Sequence, residues 1–360
     1  MSLDDLYAAL KQLSTAHGIS GNESGVAARV IDLFSPLCDD VRTDSLGNVI
    51  AVKRGEQQGS EETRIRFMVA AHTDEIGFLV SGIHADGFLN IAPVGGIERS
   101  LLPAKEVWVH TLSGPLPGII ATKPPHLTTS EERQKLPRWD EFHVDVGLPP
   151  EQVKQVVRIG DMITLRGRCE RLTDRRVAGK AIDDRAGVTA MYDMLRRLAA
   201  LRHRVDVYAV ATVQEEVGLR GAMTATFGVA PHVGVAVDVG FGHQPGVDKK
   251  RSRELGKGPI IARGANIHPQ VFAGLEHTAI EMGIPHQFEV AAGDTGTDAW
   301  AMQVSRSGVP TGLLSIPITS MHSPVECVDL GDIASTGRLL ASYASRLDPE
   351  EVRGWQHVFV

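Results

Sequence analysis

Cysteine is scarce in this sequence, and basic charge is not in excess. The 360 residues include three cysteines, Cys38, Cys169 and Cys327, which lie far apart and form no C-x-x-C pair. Such sparse usage excludes a cysteine zinc site and favours a reducing compartment. The formal net charge is −7, whereas a nucleic-acid partner would normally require a basic excess. We therefore expect no nucleic-acid partner.

Long hydrophobic runs are missing too. No stretch approaches the roughly 20 apolar residues of a membrane span. The N-terminal segment MSLDDLYAALKQL has neither the basic region nor the apolar core of a signal peptide. The sequence therefore predicts a soluble, cytoplasmic protein with no membrane partner.

Several common catalytic motifs do not occur. The chain contains no H-E-x-x-H, Walker, G-x-G-x-x-G or G-x-S-x-G motif. The segment GNESG at 21–25 has its serine one place too late for a nucleophile elbow. These competing chemistries can be set aside.

What is present is an alternation of strand and helix patterns. Near the N-terminus, Leu6, Leu10 and Leu13 define one face of a helix whose start, at Ser2 and Asp5, resembles a capping box. After residue 171, predicted helices near 185–201, 269–282 and 331–346 alternate with predicted strands at 205–213, 233–239, 286–290 and 311–316. This alternation predicts an α/β fold in which helices sandwich a mixed sheet.

The stretch 76–170 has a different texture from its flanks. Short β-rich pieces are separated by glycine and proline turns, among them EVWVHTL, LPGIIAT and DMITLRG. This pattern is typical of a small β-sandwich or barrel. We predict a discontinuous catalytic domain, 1–75 with 171–360, that is interrupted by an inserted β domain at 76–170.

Five short motifs rich in acidic residues and histidine carry the chemistry. They are AHTDEIGF (71–78), AGKAIDDRAG (178–187), TVQEEVGLRG (212–221), VAVDVG (235–240) and SMHSPVE (320–326). Three of them place charged groups at or just beyond the C-terminal end of a predicted strand, where ligand sites of open α/β sheets cluster. Charged groups beside apolar strands are costly to bury unless something compensates them. Two divalent cations would do so.

His72 closes a buried strand and is a candidate metal ligand. Asp74 lies two residues further on, so in an extended segment both side chains point to the same side. A metal-bound imidazole usually donates its other N–H to a carboxylate, a role that Asp74 can fill. The alternative is a histidine at the edge of the core, capped by its neighbour.

Two pairs of adjacent acids add further candidates. Asp183 and Asp184 precede a helix, which one of them could simply cap. The surplus carboxylate suggests that Asp183 bridges two metals while Asp184 is held by neighbouring donors. Glu215 and Glu216 would repel each other unless one is neutralised, so Glu216 is a candidate ligand and Glu215 a candidate general base. The alternative for this second pair is a solvated helix start.

Asp238 and His322 complete the candidate set. Asp238 is a lone acid in an apolar run, and His322, in a predicted loop, could alternatively be an exposed histidine. Carboxylates from Asp183, Glu216 and Asp238, with one bridging hydroxide, would balance two dications. Oxygen and imidazole ligands without thiolates suit zinc or cobalt, with manganese also compatible. The motifs together predict a metallohydrolase.

These motifs resemble, in order and nearly end to end, the co-catalytic metallo-aminopeptidases that form large tetrahedral particles, a family that includes glutamyl and deblocking aminopeptidases. The matching elements are H-T-D-E-I-G-F, G-K-A-I-D-D-R-A-G, Q-E-E-V-G-x-R-G-A, D-V-G, G-T-D-A and M-H-S-P-x-E. The resemblance implies a zinc-exopeptidase type of catalytic domain with a PDZ-like β insertion. It also implies dimers that assemble into a dodecamer.

Carried onto this chain, the resemblance implies metal ligands at His72, Asp183, Glu216, Asp238 and His322, with Asp183 bridging. It implies that Glu215 is the base, that Asp74 is the partner of His72, and that a cis peptide joins Asp183 to Asp184. The expected activity is release of N-terminal residues from short peptides by a water between the metals, which Glu215 deprotonates.

Two rival functions stay open. One is another amide hydrolase on the same scaffold, an N-acyl amino-acid deacylase or a carboxypeptidase. The other is a non-catalytic peptide-binding assembly, against which an intact Glu215 weighs because a structural site has no use for an unliganded base. The basic loop at 243–257 is either a solvated surface or a face for an acidic substrate.

Overall fold

The computed structural model describes residues 2–57, 60, 63–131 and 134–355. The helices in these ranges are α1 (Leu3–Ser14), α2 (Ser24–Phe34), α3 (Pro150–Val156), α4 (Ile182–Leu198), α5 (Arg220–Val229), α6 (Pro269–Glu281), α7 (Asp298–Gln303), α8 (Leu330–Arg346) and α9 (Pro349–Gly354). The first nine strands are β1 (Asp40–Thr43), β2 (Val49–Lys53), β3 (Arg66–His72), β4 (Gly77–Ile83), β5 (Leu89–Val94), β6 (Glu106–Thr111), β7 (Gly114–Ala121), β8 (His143–Asp145) and β9 (Met162–Leu165). The others are β10 (Cys169–Arg171), β11 (Arg176–Gly179), β12 (Asp206–Thr212), β13 (Val233–Phe241), β14 (Ile260–Gly264), β15 (Gln287–Ala291), β16 (Thr311–Thr319) and β17 (Glu326–Asp329).

A large mixed sheet forms the centre of the α/β part. Its strand order is β1-β2-β12-β3-β13-β16-β17-β11-β10, and β14 pairs with β16 and carries β15 at its other side. The four strands β12, β3, β13 and β16 are parallel to one another. They are almost entirely buried, as expected when helices cover both faces of a parallel sheet.

Alternate residues of the central strands face two separate cores. Phe67 and Val69 of β3 pack in the larger core with residues of α1, α2, α4 and α8. Met68 and Ala70 of the same strand face a smaller core that includes residues of α5 and α7. The sheet is therefore covered by helices on both sides, and the predicted fold class is confirmed.

A closed antiparallel barrel interrupts the α/β part. Its strands run in the order β4-β5-β8-β7-β6-β9, and β9 returns to pair with β4. Phe78, Val109 and Ile163 are fully buried in its interior, with Val153 of α3 packed against the same cluster. All six strands lie within the predicted insertion at 76–170; the domain boundaries themselves stay a prediction.

Local signals located most elements within a few residues. The predicted capping box of α1 is present, with Ser2 Oγ accepting a hydrogen bond from the Asp5 main chain at 3.1 Å. Helix α4 begins earlier than predicted, at Ile182, but Asp183 and Asp184 have non-helical backbone angles and a cis peptide joins them. The short elements α7, β14 and β17 had no sequence prediction. None of the helices in the described ranges is long and apolar enough to cross a membrane.

His17 connects the α/β part to the barrel. Its Nδ1 atom lies 2.8 Å from Thr164 Oγ1 on β9, and His110 Nε2 on β6 lies 2.9 Å from the same hydroxyl. The two imidazole rings are 4.7 Å apart between centroids. Burial, reinforced by the charge of nearby Lys180, lowers the pKa of His17 from 6.5 to about 4. The junction therefore favours the neutral imidazole.

We predict that His17→Gln weakens the pH dependence of stability. The unfolded chain takes up a proton on His17 near pH 6.5, whereas the folded chain resists it down to about pH 4. The free energy of unfolding should therefore fall as the pH drops through that window, by ~1–3 kcal/mol from this group. Urea unfolding of wild type and variant at several pH values measures the difference. Parallel stability curves would contradict the assignment.

Candidate metal centre

The central sheet opens at the point where the predicted ligands lie. Main-chain pairing of the parallel strands β3 and β13 ends at Ala70 and Ala236. The next residues on the same face of each strand, two positions further on, are His72 and Asp238. Because the strands part just before these two residues, their side chains border a crevice at the carboxyl end of the sheet, the usual ligand position in such folds.

Asp183 lies between the two predicted histidines. Asp183 Oδ1 is 3.1 Å from His72 Nε2, and Asp183 Oδ2 is 3.3 Å from His322 Nε2. His322 Nε2 is also 3.6 Å from Glu216 Oε1. Asp183 comes from the start of α4 and His322 from the loop after β16. One carboxylate oxygen thus faces each histidine, which is the arrangement that a bridging ligand requires.

Two groups of side chains could each hold a metal ion. The first is His72, Asp183 and Glu216, and the second is His72, Asp184 and Asp238, with the ligand atoms of each group within 4.8 Å of one another. Asp184 was not a predicted ligand. Its Oδ1 accepts a hydrogen bond from the Gly187 main chain at 3.0 Å, whereas its Oδ2 has no hydrogen-bond partner among the described residues. Neighbouring donors therefore hold only one of its two oxygens.

The centre contains more buried negative charge than its own side chains can neutralise. Burial, together with the nearby Asp183, raises the pKa of Asp238, and the same two causes raise the pKa of Glu216 to about 7. Asp183 behaves differently, because hydrogen bonds from His322 and His72 outweigh its burial and lower its pKa. The candidate ligands line a cavity of about 580 Å³. No lysine or arginine of the described chain lines it. The donor set therefore fits divalent cations, which would supply the missing positive charge.

Asp74 holds the main chain of Glu215 and Glu216 in place. Its buried carboxylate accepts hydrogen bonds from the main-chain N–H groups of Glu215 and Glu216, at 3.0 and 3.1 Å, and from Ser20 Oγ at 2.7 Å. His72 Nδ1 lies 3.1 Å from the Asp74 carbonyl oxygen and 3.5 Å from its Oδ1. The sequence predicted only the contact with His72.

Glu326 is a site residue that the sequence did not identify. It is buried, and it accepts main-chain hydrogen bonds from Asp183 at Oε2 and from His322 at Oε1, both at 3.0 Å. It therefore holds together two segments that each carry a candidate ligand. The sequence shows an acidic residue at the end of SMHSPVE. No local pattern indicates that this residue contacts Asp183, 143 residues away.

A buried ion pair supports the segment after His72. Lys180 Nζ lies 2.6 Å from Glu75 Oε2, and both side chains are almost fully buried. Arg185, also buried, donates to the main-chain carbonyls of Thr73 and Leu13. Since unpaired buried charges are strongly destabilising, these three residues tie the start of α4 to the end of β3.

Residues 47–339 match the sequence profile of the M42 glutamyl aminopeptidase family. The chain belongs to that family. This confirms the resemblance drawn from the motifs. The matched range includes all of the candidate ligands.

Individual M42 relatives match over nearly their whole length. The chain is 39% identical to a lysyl aminopeptidase of Pyrococcus furiosus, over 94% of this chain and 97% of that protein. Its structure is similar to that of an aminopeptidase from Desulfurococcus kamchatkensis, with a TM-score of 0.91, 36% identity and 99% of each chain covered. It is also similar to the Pyrococcus horikoshii TET1 peptidase, which can assemble into a tetrahedron or a large octahedral shell, with a TM-score of 0.83, 30% identity, and 95% of this chain and 100% of that one covered.

We predict that Glu326→Gln lowers metal affinity in this M42 chain. An amide can accept only one of the two main-chain hydrogen bonds that the carboxylate accepts, so the segments of Asp183 and His322 lose a shared anchor. Such supporting contacts are worth ~10- to 100-fold in metal affinity. Titration of the apoprotein with Zn²⁺ by calorimetry measures the change, with circular dichroism as the check on folding. An affinity equal to that of the wild type would show that Glu326 does not organise the centre.

Proposed function

We propose that the protein is a dinuclear metallo-aminopeptidase that releases N-terminal residues from short peptides. The observation that carries the proposal is the convergence, on one cavity, of five candidate ligands from five separate segments beside a further glutamate. These residues are His72, Asp183, Glu216, Asp238 and His322, with Glu215. Membership of the M42 family supports aminopeptidase activity, as does the likeness to a protein named lysyl aminopeptidase.

The proposed ligands would hold two cations, and Asp183, which faces both histidines, would contribute to both. His72 and Asp238 would complete one site, and Glu216 and His322 the other. Bound there, the cations would polarise the first carbonyl of a peptide and lower the pKa of a water held between them. Zinc and cobalt suit this donor set, and manganese is also compatible.

Glu215 is proposed as the general base. It lines the cavity but belongs to neither group of candidate ligands among the described residues. Asp74 accepts a hydrogen bond from the main-chain N–H of Glu215, which fixes the backbone of Glu215 beside the cavity. The Glu215 carboxylate would take the proton from the attacking water and return it to the amine that leaves.

Self-association is part of the proposal. Large apolar side chains are exposed in the insertion, including Leu112, Leu127 and Ile159, and an interface there would remove them from water. The related Pyrococcus horikoshii peptidase assembles into closed shells. We infer that the barrel contributes to dimers and to a dodecamer, whose interior would admit only short or unfolded peptides. The cytoplasmic location stays a prediction from the sequence.

A substrate panel tests the proposed function. Peptides with a free α-amine should be cleaved one residue at a time from the N-terminus, and chelation should abolish the activity until zinc, cobalt or manganese is restored. The matched controls are the same peptides with an acetylated N-terminus or an amidated C-terminus. Faster cleavage of the acetylated set would favour a deacylase, and dependence on a free C-terminus would favour a carboxypeptidase. Absence of any cleavage would favour a peptide-binding assembly.

We predict that Glu215→Gln leaves the metals bound while turnover falls. Loss of a positioned general base typically reduces the rate ~10²- to 10⁴-fold. Metal content by mass spectrometry and hydrolysis of an aminoacyl anilide measure the two effects. Glu216→Gln is the matched neighbour and should lose metal as well as activity. Near-normal turnover of the Glu215 variant would show that the base is another group.

A further inference from the structure

The cavity extends beyond the metal centre to an acid that the mechanism does not use. Glu289 on β15 lines the same cavity as His72 and Asp238. Its side chain is half-buried, and Glu289 Oε1 accepts a hydrogen bond from Ser315 Oγ at 3.4 Å. Neither candidate metal group of the described chain includes it.

The strand register fixes where Glu289 lies relative to the centre. Asp238 on β13 pairs with Ser315 on β16, Ser315 pairs with Ile260 on β14, and Glu289 on β15 pairs with Ala262, two residues further along β14. Paired residues of neighbouring strands point to the same face of a sheet. Asp238, Ser315 and Glu289 therefore share one face. Three strand spacings of ~4.8 Å and an offset of two residues along the strands, ~6.6 Å, separate the backbones of Asp238 and Glu289 by ~16 Å.

The position of the carboxylate, rather than that of the backbone, decides which part of a substrate Glu289 can meet. A peptide whose first carbonyl lies at the metal centre has its α-amine one bond from the first Cα, and hence also close to that centre. The Glu289 carboxylate reaches back to Ser315, whose Oγ lies 3.4 Å from Glu289 Oε1, so a long side chain of the first residue that extends across Ser315 would meet it. Leu313, two residues before Ser315 on the same face, is apolar and lines the cavity between them.

The carboxylate of Glu289 is left without an ionic partner. None of the ion pairs among the described residues includes it, and the nearby Arg253 directs its guanidinium to main-chain carbonyls of Phe288, Lys250 and Ser252. Burial raises the pKa of Glu289, and the charge of Arg253 offsets that effect only in part. A half-buried acid in a cavity without lysine or arginine gains from a cation that the substrate supplies.

We propose that Glu289 makes this cavity select peptides whose N-terminal residue carries a cationic side chain, lysine or arginine. The inference rests on the proposed aminopeptidase function and specifies its substrate class. The methylene stem of the side chain would lie along Leu313, and its charged end would pair with Glu289 beside Ser315. Long cationic side chains commonly combine an apolar stem contact with a polar contact at the tip.

The test compares kcat/KM for lysyl, norleucyl and glutamyl anilides with the metal-loaded protein. Norleucine has the four-carbon stem of lysine without the charge, so the lysyl-to-norleucyl ratio isolates the ionic contribution. Wild type should prefer lysyl over glutamyl substrates at least tenfold. Glu289→Gln should lower the lysyl-to-norleucyl ratio at least tenfold, and Glu289→Arg should shift preference toward the glutamyl substrate. Glu254→Gln removes an exposed charge from the loop whose main chain contacts β15, and should leave the ratio unchanged.

The outcomes separate this inference from the proposed function. An equal loss on all three substrates in Glu289→Gln would mean that the acid positions the α-amine, which overturns the proposal. An unchanged lysyl-to-norleucyl ratio in Glu289→Gln overturns the proposal as well. So does a preference of the wild type for the glutamyl substrate, and that result does not depend on the folding of any variant. Failure of the wild type to cleave any free-amine substrate would instead refute the aminopeptidase function.

Discussion

Uncompensated negative charge at the carboxyl end of the central sheet is the constraint on which this structure depends. Asp183, Asp184 and Asp238 are all buried, and two histidines cannot balance them together with Glu216. Burial removes these three carboxylates from most of their contact with water, so they must either take up protons or bind cations. Divalent cations, as proposed for this site, would resolve the conflict without protonation.

The supporting residues act mainly through the main chain. Asp74 accepts from two consecutive N–H groups next to β12, and Glu326 accepts from the N–H groups of two segments that are distant in sequence. Main-chain anchors of this kind fix where a ligand's Cα lies while leaving its side chain free to bind. The Glu75–Lys180 pair and Arg185 then hold the elements that carry these anchors. Preorganisation of this kind is what metal-assisted catalysis requires.

The barrel also takes part in the centre, beyond any role in assembly. The segment after β5 passes so close to the ligands that a Cβ atom at Gly96 would lie 3.1 Å from His322 Nδ1. Gly95, at a φ of +78°, is similarly close to Glu216. The insertion therefore forms part of the wall beside Glu216 and His322.

The sequence by itself determined the fold class, the interruption by a β-rich insertion and the set of acids and histidines that meet in the cavity. Apolar periodicity and strand-end position are local properties, so they could be interpreted without coordinates. The tertiary structure alone decided that Glu326 anchors Asp183, that Asp184 lies beside Asp238, and that Glu289 faces the same cavity across three strands. These relations depend on strand order and register, which bring together residues far apart in the chain and leave no local pattern in the sequence.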